Sequence, residues 1–409
     1  MEFEFIDYGS YSEKMNMYNA AGNDYDIAFA GWLMDVTSAA NQGAILPLGK
    51  YLEEYPELKK SIPDYAWECV TAYGDIYAIP NMQIMANGRA GIIDKDKADK
   101  YNFDPAKIKT VEDYEPYWEA VKENEPDIYP VRTTIEMFDY MKDYDKTGSI
   151  VCKEDENGKY TAYLKVETPE YRKCIDKMHE YYKRGFIRQD IASVVDETAD
   201  SNAGKYWMGF ETDKPGRKEQ WDAMGDPHYV NLINTPIIDS CGTSTVIGRN
   251  SKNPEKAMAL LNYINTDSEI LNLLSFGIEG ENYEKIGENQ YRFFNTNHDE
   301  RYEIWTWALG NVFNGLSGAD EPADVWQQTI EYNDKARLSR LVGFSIDDSN
   351  IRTELAQMET VLKEYAVREK GALDPKDYYD KFLAKMHEAG SDKVVAEYQK
   401  QIDKFLSEK

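Results

Sequence analysis

The sequence predicts an α/β protein of two lobes with a helical C-terminal region. A chain of 409 residues exceeds what one hydrophobic core usually supports, which favours two lobes. The N-terminal residues show a strand–helix–strand pattern, typical of the start of a parallel α/β lobe. The C-terminal residues carry apolar side chains at helical spacing. These three observations predict the fold class.

The N-terminal pattern predicts three elements in succession. A strand is predicted from Met1 through Phe5, followed by a helix over Tyr11–Ala21. The short apolar run Asp26–Ala30 predicts a strand that is buried on both faces. Gly31 ends this strand, and polar and aromatic side chains follow at once. In open α/β sheets ligands bind at the carboxyl ends of strands, so this loop is a candidate binding site. The alternative is that Trp32 is a core residue and that Asp35 caps the helix that follows.

Turn and cap signals predict the remaining elements. The predicted elements are a hairpin at Gly74-Asp75, a helix over Thr110–Val121 with Thr110 and Asp113 as a capping box, a strand over Pro130–Thr134, a hairpin at Asn157-Gly158, a helix over Pro169–Lys183, and strands over Lys205–Gly209 and Val230–Ile238. Apolar stripes over Leu355–Tyr365, Tyr379–Met386 and Val395–Phe405 predict core-packing helices in the tail.

Composition and charge exclude several classes of protein. The content is 42% hydrophobic and 30% charged, which is typical of a folded globular chain. The formal net charge of -27 argues against nucleic acid or anionic lipid as a partner, because phosphate binding needs a basic surface. The charge suits a soluble monomer. The 31 Tyr, 14 Phe and 8 Trp supply flat faces for sugar rings as well as core volume.

The four cysteines form no dense framework and no metal-binding spacing. One disulfide is possible, and its pairing cannot be assigned. No run approaches the ~20 apolar residues of a membrane span, and Met1 is followed directly by charged and aromatic residues rather than by a secretion signal. Either the protein is cytoplasmic or the chain starts after a removed segment.

The sequence does not favour an enzyme. None of the four histidines lies in a metalloprotease spacing, and no nucleophile elbow or phosphate loop is present. Acidic pairs are common among 74 Asp and Glu residues, so a glycosidase pair could be chosen anywhere and is not evidence. We expect no catalytic residue, no cofactor and no metal.

A calcium loop is the one metal hypothesis with a matching pattern. Asp143, Asp145, Thr147 and Glu154 fit positions 1, 3, 5 and 12 of an EF-hand loop, with Gly148 at the tight bend. The alternative is a turn that leads into the hairpin at Asn157-Gly158. Both interpretations remain open from sequence.

A resemblance to a known family rests on several motifs in order. The strings YDIAFAGW, AILPLGKYLEEYPEL and YAWECVTAYGDIYAIPN are followed by Asn253-Pro254-Glu255-Lys256-Ala257, by Leu260–Ile264 and by the turn Phe276–Gly280. This succession resembles the bacterial extracellular solute-binding proteins of carbohydrate ABC importers, in their Gram-positive lipoprotein branch. The resemblance covers nearly the whole chain.

The resemblance implies a two-lobed periplasmic-binding-protein-like fold of type II. Lobe one is expected over residues 1–88 and 241–310, and lobe two over 89–240 and 311–409, with crossings near residues 88, 241 and 311. Family members place a further strand and helix before the segment that begins at Glu2, so we expect a chain that lacks its signal and first strand–helix unit. The resemblance further implies an extracellular, membrane-anchored full-length protein with permease subunits as partners.

The expected ligand is an oligosaccharide held between the lobes by hinge closure. Aromatic rings stack on sugar faces, and carboxylates, amides and Arg bind hydroxyls. The predicted ligand-binding residues are Trp32, Asp35, Asn81, Gln83, Asn87, Arg132, Trp207, Phe276, Glu279, Trp305, Trp307 and Asn311. Trp305 and Trp307 alternate, so on a strand only one ring would face the ligand. A peptide-binding protein of the same fold, a secreted glycoside hydrolase and a glycan-binding adhesin remain alternatives.

Overall fold

The computed structural model describes residues 2–409, and the chain forms two compact units. Unit 1 comprises the chain up to Met85, Ile238–Leu338 and Val342–Ser345. Unit 2 comprises Ala86–Ile237, Ser339–Leu341 and Ile346–Lys409. Each unit is therefore assembled from segments that are distant in sequence.

The chain leaves unit 1 after Met85 and returns after Ile237. The predicted crossings, near residues 88 and 241, lie three or four residues further along the chain. The third crossing lies after Leu338 and not near residue 311. The reason is that residues 312–338 still pack in unit 1. The Val312 N–H donates to the Met82 carbonyl at 2.9 Å, and the Asn333 side-chain oxygen accepts from the Met85 N–H at 2.9 Å.

The strands are short, and many contain only two residues. They are β1 Ile27–Gly31, β2 Thr71–Ala72, β3 Asp75–Ile76, β4 Ile79–Pro80, β5 Arg89–Asp94, β6 Tyr129–Arg132, β7 Asp145–Thr147, β8 Ile150–Glu154, β9 Tyr160–Leu164, β10 Tyr206–Thr212, β11 His228–Leu232, β12 Ile237–Ile238, β13 Thr243–Ile247, β14 Tyr283–Ile286, β15 Gln290–Phe293, β16 Ser317–Gly318 and β17 Arg337–Leu338.

The helices are longer towards the C-terminus. They are α1 Tyr11–Ala21, α2 Val36–Asn41, α3 Gly49–Leu52, α4 Pro56–Ser61, α5 Asp64–Cys69, α6 Lys95–Asp99, α7 Glu115–Asn124, α8 Pro169–Arg184, α9 Thr198–Asn202, α10 Arg217–Ala223, α11 Pro254–Thr266, α12 Ser268–Phe276, α13 Thr306–Leu309, α14 Val325–Lys335, α15 Arg352–Glu364, α16 Pro375–Glu388 and α17 Ser391–Glu408. Within residues 2–409, none of these helices is both long and apolar enough to cross a membrane.

Unit 1 contains an antiparallel sheet in the order β1-β13-β4. The predicted parallel start is therefore wrong. Glu2–Phe5 forms no strand, and Met1 lies outside the described residues. Without a strand there, β1 is an edge strand of the sheet, and only Ala30 of its five residues is fully buried. The predicted burial of this strand on both faces is wrong for the same reason.

Unit 2 is built on a four-stranded sheet in the order β11-β5-β10-β6. β10 runs antiparallel to β5 and parallel to β6. Helices α7 and α8 contribute to a core rich in aromatic side chains, with Trp118 and Tyr181 at its centre. The predicted helix over Pro169–Lys183 and the capping box of Thr110 and Asp113 are confirmed. The C-terminal stripes form α15, α16 and α17, as predicted.

The calcium-loop pattern falls on a second sheet of unit 2, in the order β7-β8-β9. Asp145 lies in β7, is buried, and accepts a hydrogen bond from the Tyr160 hydroxyl at 2.6 Å. Glu154 ends β8 and pairs with Arg340 at 2.6 Å. These side chains lie on extended, paired strands and not around one loop, so the EF-hand interpretation is wrong. The alternative, a turn leading into the hairpin at Asn157-Gly158, is confirmed.

Candidate functional site

Three tryptophan side chains of unit 1 lie together, and we call them the tryptophan platform: Trp32, Trp307 and Trp305. The ring centroids of Trp32 and Trp307 are 5.4 Å apart, and those of Trp305 and Trp307 are 5.1 Å apart. Trp32 is 51% exposed and Trp305 is 48% exposed. Exposed tryptophan is uncommon, because burial of the ring is strongly favourable. A cluster with two half-exposed indole side chains is therefore a candidate ligand surface.

The backbone around Gly31 fixes the position of Trp32. Gly31 has a φ of +123°, and a Cβ atom there would lie 2.0 Å from the Gly242 carbonyl oxygen. Only glycine allows this approach. The Trp32 N–H then donates to the Gly242 carbonyl at 3.1 Å. This bond ties the residue that follows β1 to the residue that precedes β13.

Asn81 holds the backbone of Trp307. The Asn81 amide nitrogen donates to the Trp307 carbonyl at 3.1 Å, and its side-chain oxygen accepts from the Thr245 hydroxyl at 2.9 Å. Asn81 is 1% exposed. Predicted as a ligand contact, it instead has its amide occupied within the protein. It therefore helps to fix the position of Trp307 in the platform.

The two tryptophans of the Ile304–Asn311 segment do not lie on a strand, so the predicted alternation is wrong. Trp305 immediately precedes α13, and Trp307 lies within it. The rings stack at an interplanar angle of 24°. Both residues therefore belong to one surface. Asn311 is 3% exposed and caps the following turn by accepting from the Phe313 N–H at 3.0 Å, which corrects its predicted ligand role.

Two further predicted residues lie beside the platform. Gln83 is partly buried and donates through its amide to the Thr243 hydroxyl at 2.8 Å. Asp35 is exposed and caps α2, because its carboxylate accepts from the Ser38 N–H at 2.7 Å. That cap uses one of the two carboxylate oxygens.

The predicted pair Phe276 and Glu279 lies elsewhere in unit 1. Phe276 is 3% exposed and stacks on Tyr291 with ring centroids 3.9 Å apart. Its ring is part of a small core and has no face for a ligand, which corrects the prediction. Glu279 is exposed and pairs with Lys285 at 3.3 Å.

The predicted residues of unit 2 differ in exposure. Asn87 is exposed, and Arg132 is partly buried at the end of β6. Trp207 is 1% exposed, and its indole N–H donates to the Lys97 carbonyl at 3.0 Å. It packs against Tyr117 in the core. A buried ring cannot stack on a sugar, so its predicted role is wrong.

Sequence reasoning missed Phe29 and Gly242. Phe29 meets Trp32 and Trp307 edge-on, at 5.5 and 5.9 Å between ring centroids. A Cβ atom on Gly242 would lie 3.7 Å from the Trp32 ring. The sequence signal for Phe29 was its place in β1, just before the loop that carries Trp32. The role of Gly242 depends on strand pairing and has no local signal.

A separate cavity of about 600 Å³ lies in unit 2, against α17. The charged side chains that line this cavity already form ion pairs within the protein. Glu167 and Asp392 contact the two nitrogens of His387 at 2.6 and 3.0 Å, and Lys153 pairs with Glu170 at 3.0 Å. The exposed faces of the tryptophan platform make it the stronger candidate.

Three of the four thiols are unsuited to nucleophilic chemistry. The four cysteines are free, so the possible disulfide is not formed. Burial raises the pKa of the Cys241 thiol, close to the platform in sequence, to about 12. Burial likewise raises the pKa of Cys152 and Cys174 to about 12. These three thiols stay protonated at neutral pH and are poor nucleophiles.

Known proteins resemble the chain over its whole length. A carbohydrate ABC transporter substrate-binding protein of Streptococcus pneumoniae serotype 4 (strain ATCC BAA-334 / TIGR4) is 27% identical over 432 aligned positions, which span 100% of this chain and 85% of the relative. The chain is similar to the solute-binding proteins of carbohydrate ABC importers. A family model described as a domain of unknown function (DUF3502) also matches residues 340–407 of this chain.

Solved structures agree with the fold of this chain. The N-glycan transport solute binding protein (NgtS) of S. pneumoniae has a TM-score of 0.85 at 24% identity, and the match covers 99% of this chain and 92% of that chain. The same protein in complex with Man5GlcNAc has a TM-score of 0.81 at 25% identity, covering 100% and 92%. The predicted two-lobed α/β solute-binding fold is thereby confirmed.

Proposed function

We propose that this protein captures an oligosaccharide for import and that the tryptophan platform is a sugar-contacting surface of unit 1. The carrying observation is the exposure of Trp32 and Trp305 on either side of Trp307. Indole faces stack on the C–H faces of pyranose rings, and this removes apolar surface of both partners from water. Trp305 and Trp307 stack on each other with ring centroids 5.1 Å apart, so a sugar would contact the parts of Trp32 and Trp305 that remain exposed.

The relatives support this ligand class. The similar structure titled as an N-glycan transport protein is a complex with Man5GlcNAc. We carry only the chemical class to this chain, namely an oligosaccharide of neutral sugars. The exposed carboxylate of Asp35 and the amide of Gln83 are the proposed hydroxyl-binding groups beside the rings. The contributions of Asn87, Arg132 and Glu279, and the closure of two lobes around the ligand, stay predictions.

We propose binding without chemistry. The candidate surface consists of rings, the Gln83 amide and the single carboxylate of Asp35, whereas glycoside hydrolysis uses a pair of carboxyl groups. The pKa of Cys241 near it is raised to about 12 by burial. Incubation with N-glycan-type oligosaccharides should return them unchanged. Release of shorter sugars by the purified protein would instead favour the glycoside hydrolase alternative.

A titration followed by tryptophan fluorescence tests the ligand class. The expected result is a saturable change with mannose- and N-acetylglucosamine-containing oligosaccharides and no change with oligopeptides. Trp305→Ala should weaken sugar binding roughly tenfold, as expected from the loss of one aromatic stacking partner. Tyr263→Ala is the matched control, because Tyr263 is 52% exposed on α11 of the same unit. Binding of peptides and not sugars would overturn the proposal.

We also propose that the loaded protein delivers its ligand outside the cell to permease subunits of an ABC importer, from a membrane-anchored form. The family supplies this inference. Fractionation of cells that produce the full-length protein should place it with the membrane and accessible to added protease. Recovery from the cytoplasm would contradict it.

A further inference from the structure

Three metal-ligating side chains of unit 2 converge at an edge of its main sheet. They are Asp94, Asp226 and His228, and one ligand atom from each lies within 4.8 Å of the others. None belongs to the tryptophan platform, which is in unit 1. The inference drawn from them therefore goes beyond the proposed function and stands even if the protein binds no sugar.

Strand pairing explains why these residues meet. β11 is the edge strand of the sheet and runs antiparallel to β5, with His228 directly opposite Asp94. Side chains opposite each other on an antiparallel pair have Cβ atoms about 5 Å apart and point to the same face. Asp226 lies two residues before His228. The Lys95 N–H donates to the Pro227 carbonyl at 2.9 Å and holds that turn against β5.

A hydrogen bond fixes the tautomer of the histidine. Its Nδ1 atom lies 2.7 Å from the Asp226 carbonyl oxygen and 4.0 Å from an Asp226 carboxylate oxygen. A carbonyl oxygen can only accept, so Nδ1 carries a proton, and in the neutral ring the lone pair is on Nε2. Metal-ligating histidines almost always make such a second hydrogen bond, which fixes the tautomer and the ring plane. The Trp221 ring, 4.5 Å away between centroids, packs against the imidazole.

The carboxylates retain acceptor capacity and negative charge. One oxygen of Asp94 accepts from the Lys97 N–H at 2.9 Å as the cap of α6, which leaves the other oxygen. The Lys97 ammonium group donates instead to the carbonyls of Gly204 and Tyr206. Over residues 2–409, the ion pairs include no Lys or Arg partner for Asp94 or Asp226. The pair of carboxylates is thus available to a cation.

We propose that Asp94, Asp226 and His228 bind a divalent first-row transition metal ion, with zinc as the best match. One imidazole and two carboxylates suit Zn²⁺, whereas Ca²⁺ takes six to eight oxygen ligands. Asp94 and His228 also line a cavity of about 190 Å³, together with Lys97 and Arg132 among others, and this cavity has room for a water molecule as the fourth ligand. The bound ion joins the edge strand β11 and the turn before it to β5. Its role is to stabilise that edge.

Calorimetry of the full chain with Zn²⁺ after chelator treatment tests the site. The expected result is one bound ion per chain and a rise in Tm, because a ligand that binds the folded state stabilises it. His228→Gln should weaken binding at least about tenfold, since losing even an outer-shell partner costs that much. Asp226→Asn should act similarly, and its side chain is 63% exposed, so this variant should fold. Ca²⁺ should not replace Zn²⁺.

His387→Gln is the matched control. His387 also contacts two carboxylates, but Glu167 lies at Nε2 and Asp392 at Nδ1, on different sides of the ring. Loss of Zn²⁺ binding in this variant, or its retention in both His228→Gln and Asp226→Asn, would overturn the proposal. Co²⁺ gives a second readout. A charge-transfer band typical of thiolate ligation would assign the metal to the cysteines and also overturn it, as would the absence of any Zn²⁺ binding.

Discussion

The tryptophans of unit 1 and unit 2 form clusters of similar spacing and opposite exposure. Trp32 and Trp305 are about half exposed, whereas Trp118 and Trp207 are 0% and 1% exposed. Ring centroids within both clusters lie about 5 to 6 Å apart. The difference is in what surrounds the rings: other side chains enclose them in unit 2, whereas about half of Trp32 and of Trp305 stays exposed in unit 1. Spacing between rings therefore does not separate a core from a binding surface, and exposure does.

The cover over the rings of unit 2 comes from its helices and sheet. Trp118 on α7 meets Tyr181 of α8 and Phe186 at 5.2 and 5.5 Å. In unit 1, Trp32 follows an edge strand, and Trp305 precedes a helix of four residues. These short elements present the rings without enclosing them. The comparison predicts that equal substitutions will change stability in one unit and ligand binding in the other.

The largest expected effect is that of Trp118→Ala. Removing a fully buried indole should lower the free energy of unfolding of unit 2 by about 3–5 kcal/mol, because the site loses its packing and leaves a cavity. Urea denaturation monitored by circular dichroism measures it. Trp118→Phe is the control and should cost less, since a ring remains. A cost below about 1 kcal/mol for the alanine variant would mean that exposure does not distinguish the two clusters.

A smaller effect on stability is expected for substitution of Glu115, the first residue of α7. Burial alone would raise the pKa of the Glu115 carboxyl, but bonds from Arg184, Lys177 and Tyr181 hold it below the usual 4.5. A lowered pKa in the folded state stabilises the protein above the unfolded-state pKa, and that stability is lost as pH falls through the folded-state pKa. Glu115→Gln should therefore cost roughly 1.5–3 kcal/mol at neutral pH.

The pH dependence of this cost is the sharper measurement. The difference in unfolding free energy between wild type and Glu115→Gln should shrink as the pH is lowered from about 7 to about 3. Glu359→Gln provides the control, because Glu359 is exposed and pairs only with the neighbouring Lys363. Its effect should stay within about 0.5 kcal/mol. A difference for Glu115→Gln that is constant with pH would show that packing and not charge is responsible.

Local signals in the sequence were sufficient for elements whose caps and turns are encoded nearby. The capping box of Thr110 and Asp113 and the hairpin at Asn157-Gly158 are such cases. The prediction of a strand over Glu2–Phe5 was wrong, because alternating aromatic residues form a strand only when a partner strand pairs with them. In the structure Phe3 and Phe5 stack on each other, and Phe5 is 75% exposed.

The candidate site was predictable only in part. Trp32, Trp305 and Trp307 were identified as aromatic residues at element ends, and they do meet. Trp207 has the same kind of sequence context but is enclosed by Tyr101 and Tyr117. Which face of a short strand is covered depends on helices that are distant in sequence. No local pattern contains that information.

Asp35 gives a test of moderate size beside the platform. Asp35→Ala should cost about 1 kcal/mol, because the Ser38 N–H loses its capping acceptor. Asp35→Asn should keep the cap, since asparagine caps helices about equally well, while removing the negative charge. Thermal unfolding and sugar titration of both variants separate the two roles. Weak sugar binding by Asp35→Asn with normal stability would assign the carboxylate to the ligand, and unchanged binding would assign it to the helix alone.

The smallest expected change in stability is that of Trp305→Ala. Its ring is 48% exposed and stacks on Trp307 alone among the platform residues at 5.1 Å, so the stack contributes less than about 1 kcal/mol to folding. The same ring should matter more in the complex, where a sugar covers its open face. Equilibrium unfolding of the free protein and of the sugar-saturated protein measures both quantities. If Trp305→Ala destabilises the free protein as much as Trp118→Ala does, the platform is a core in its own right, and its open faces do not mark a ligand site.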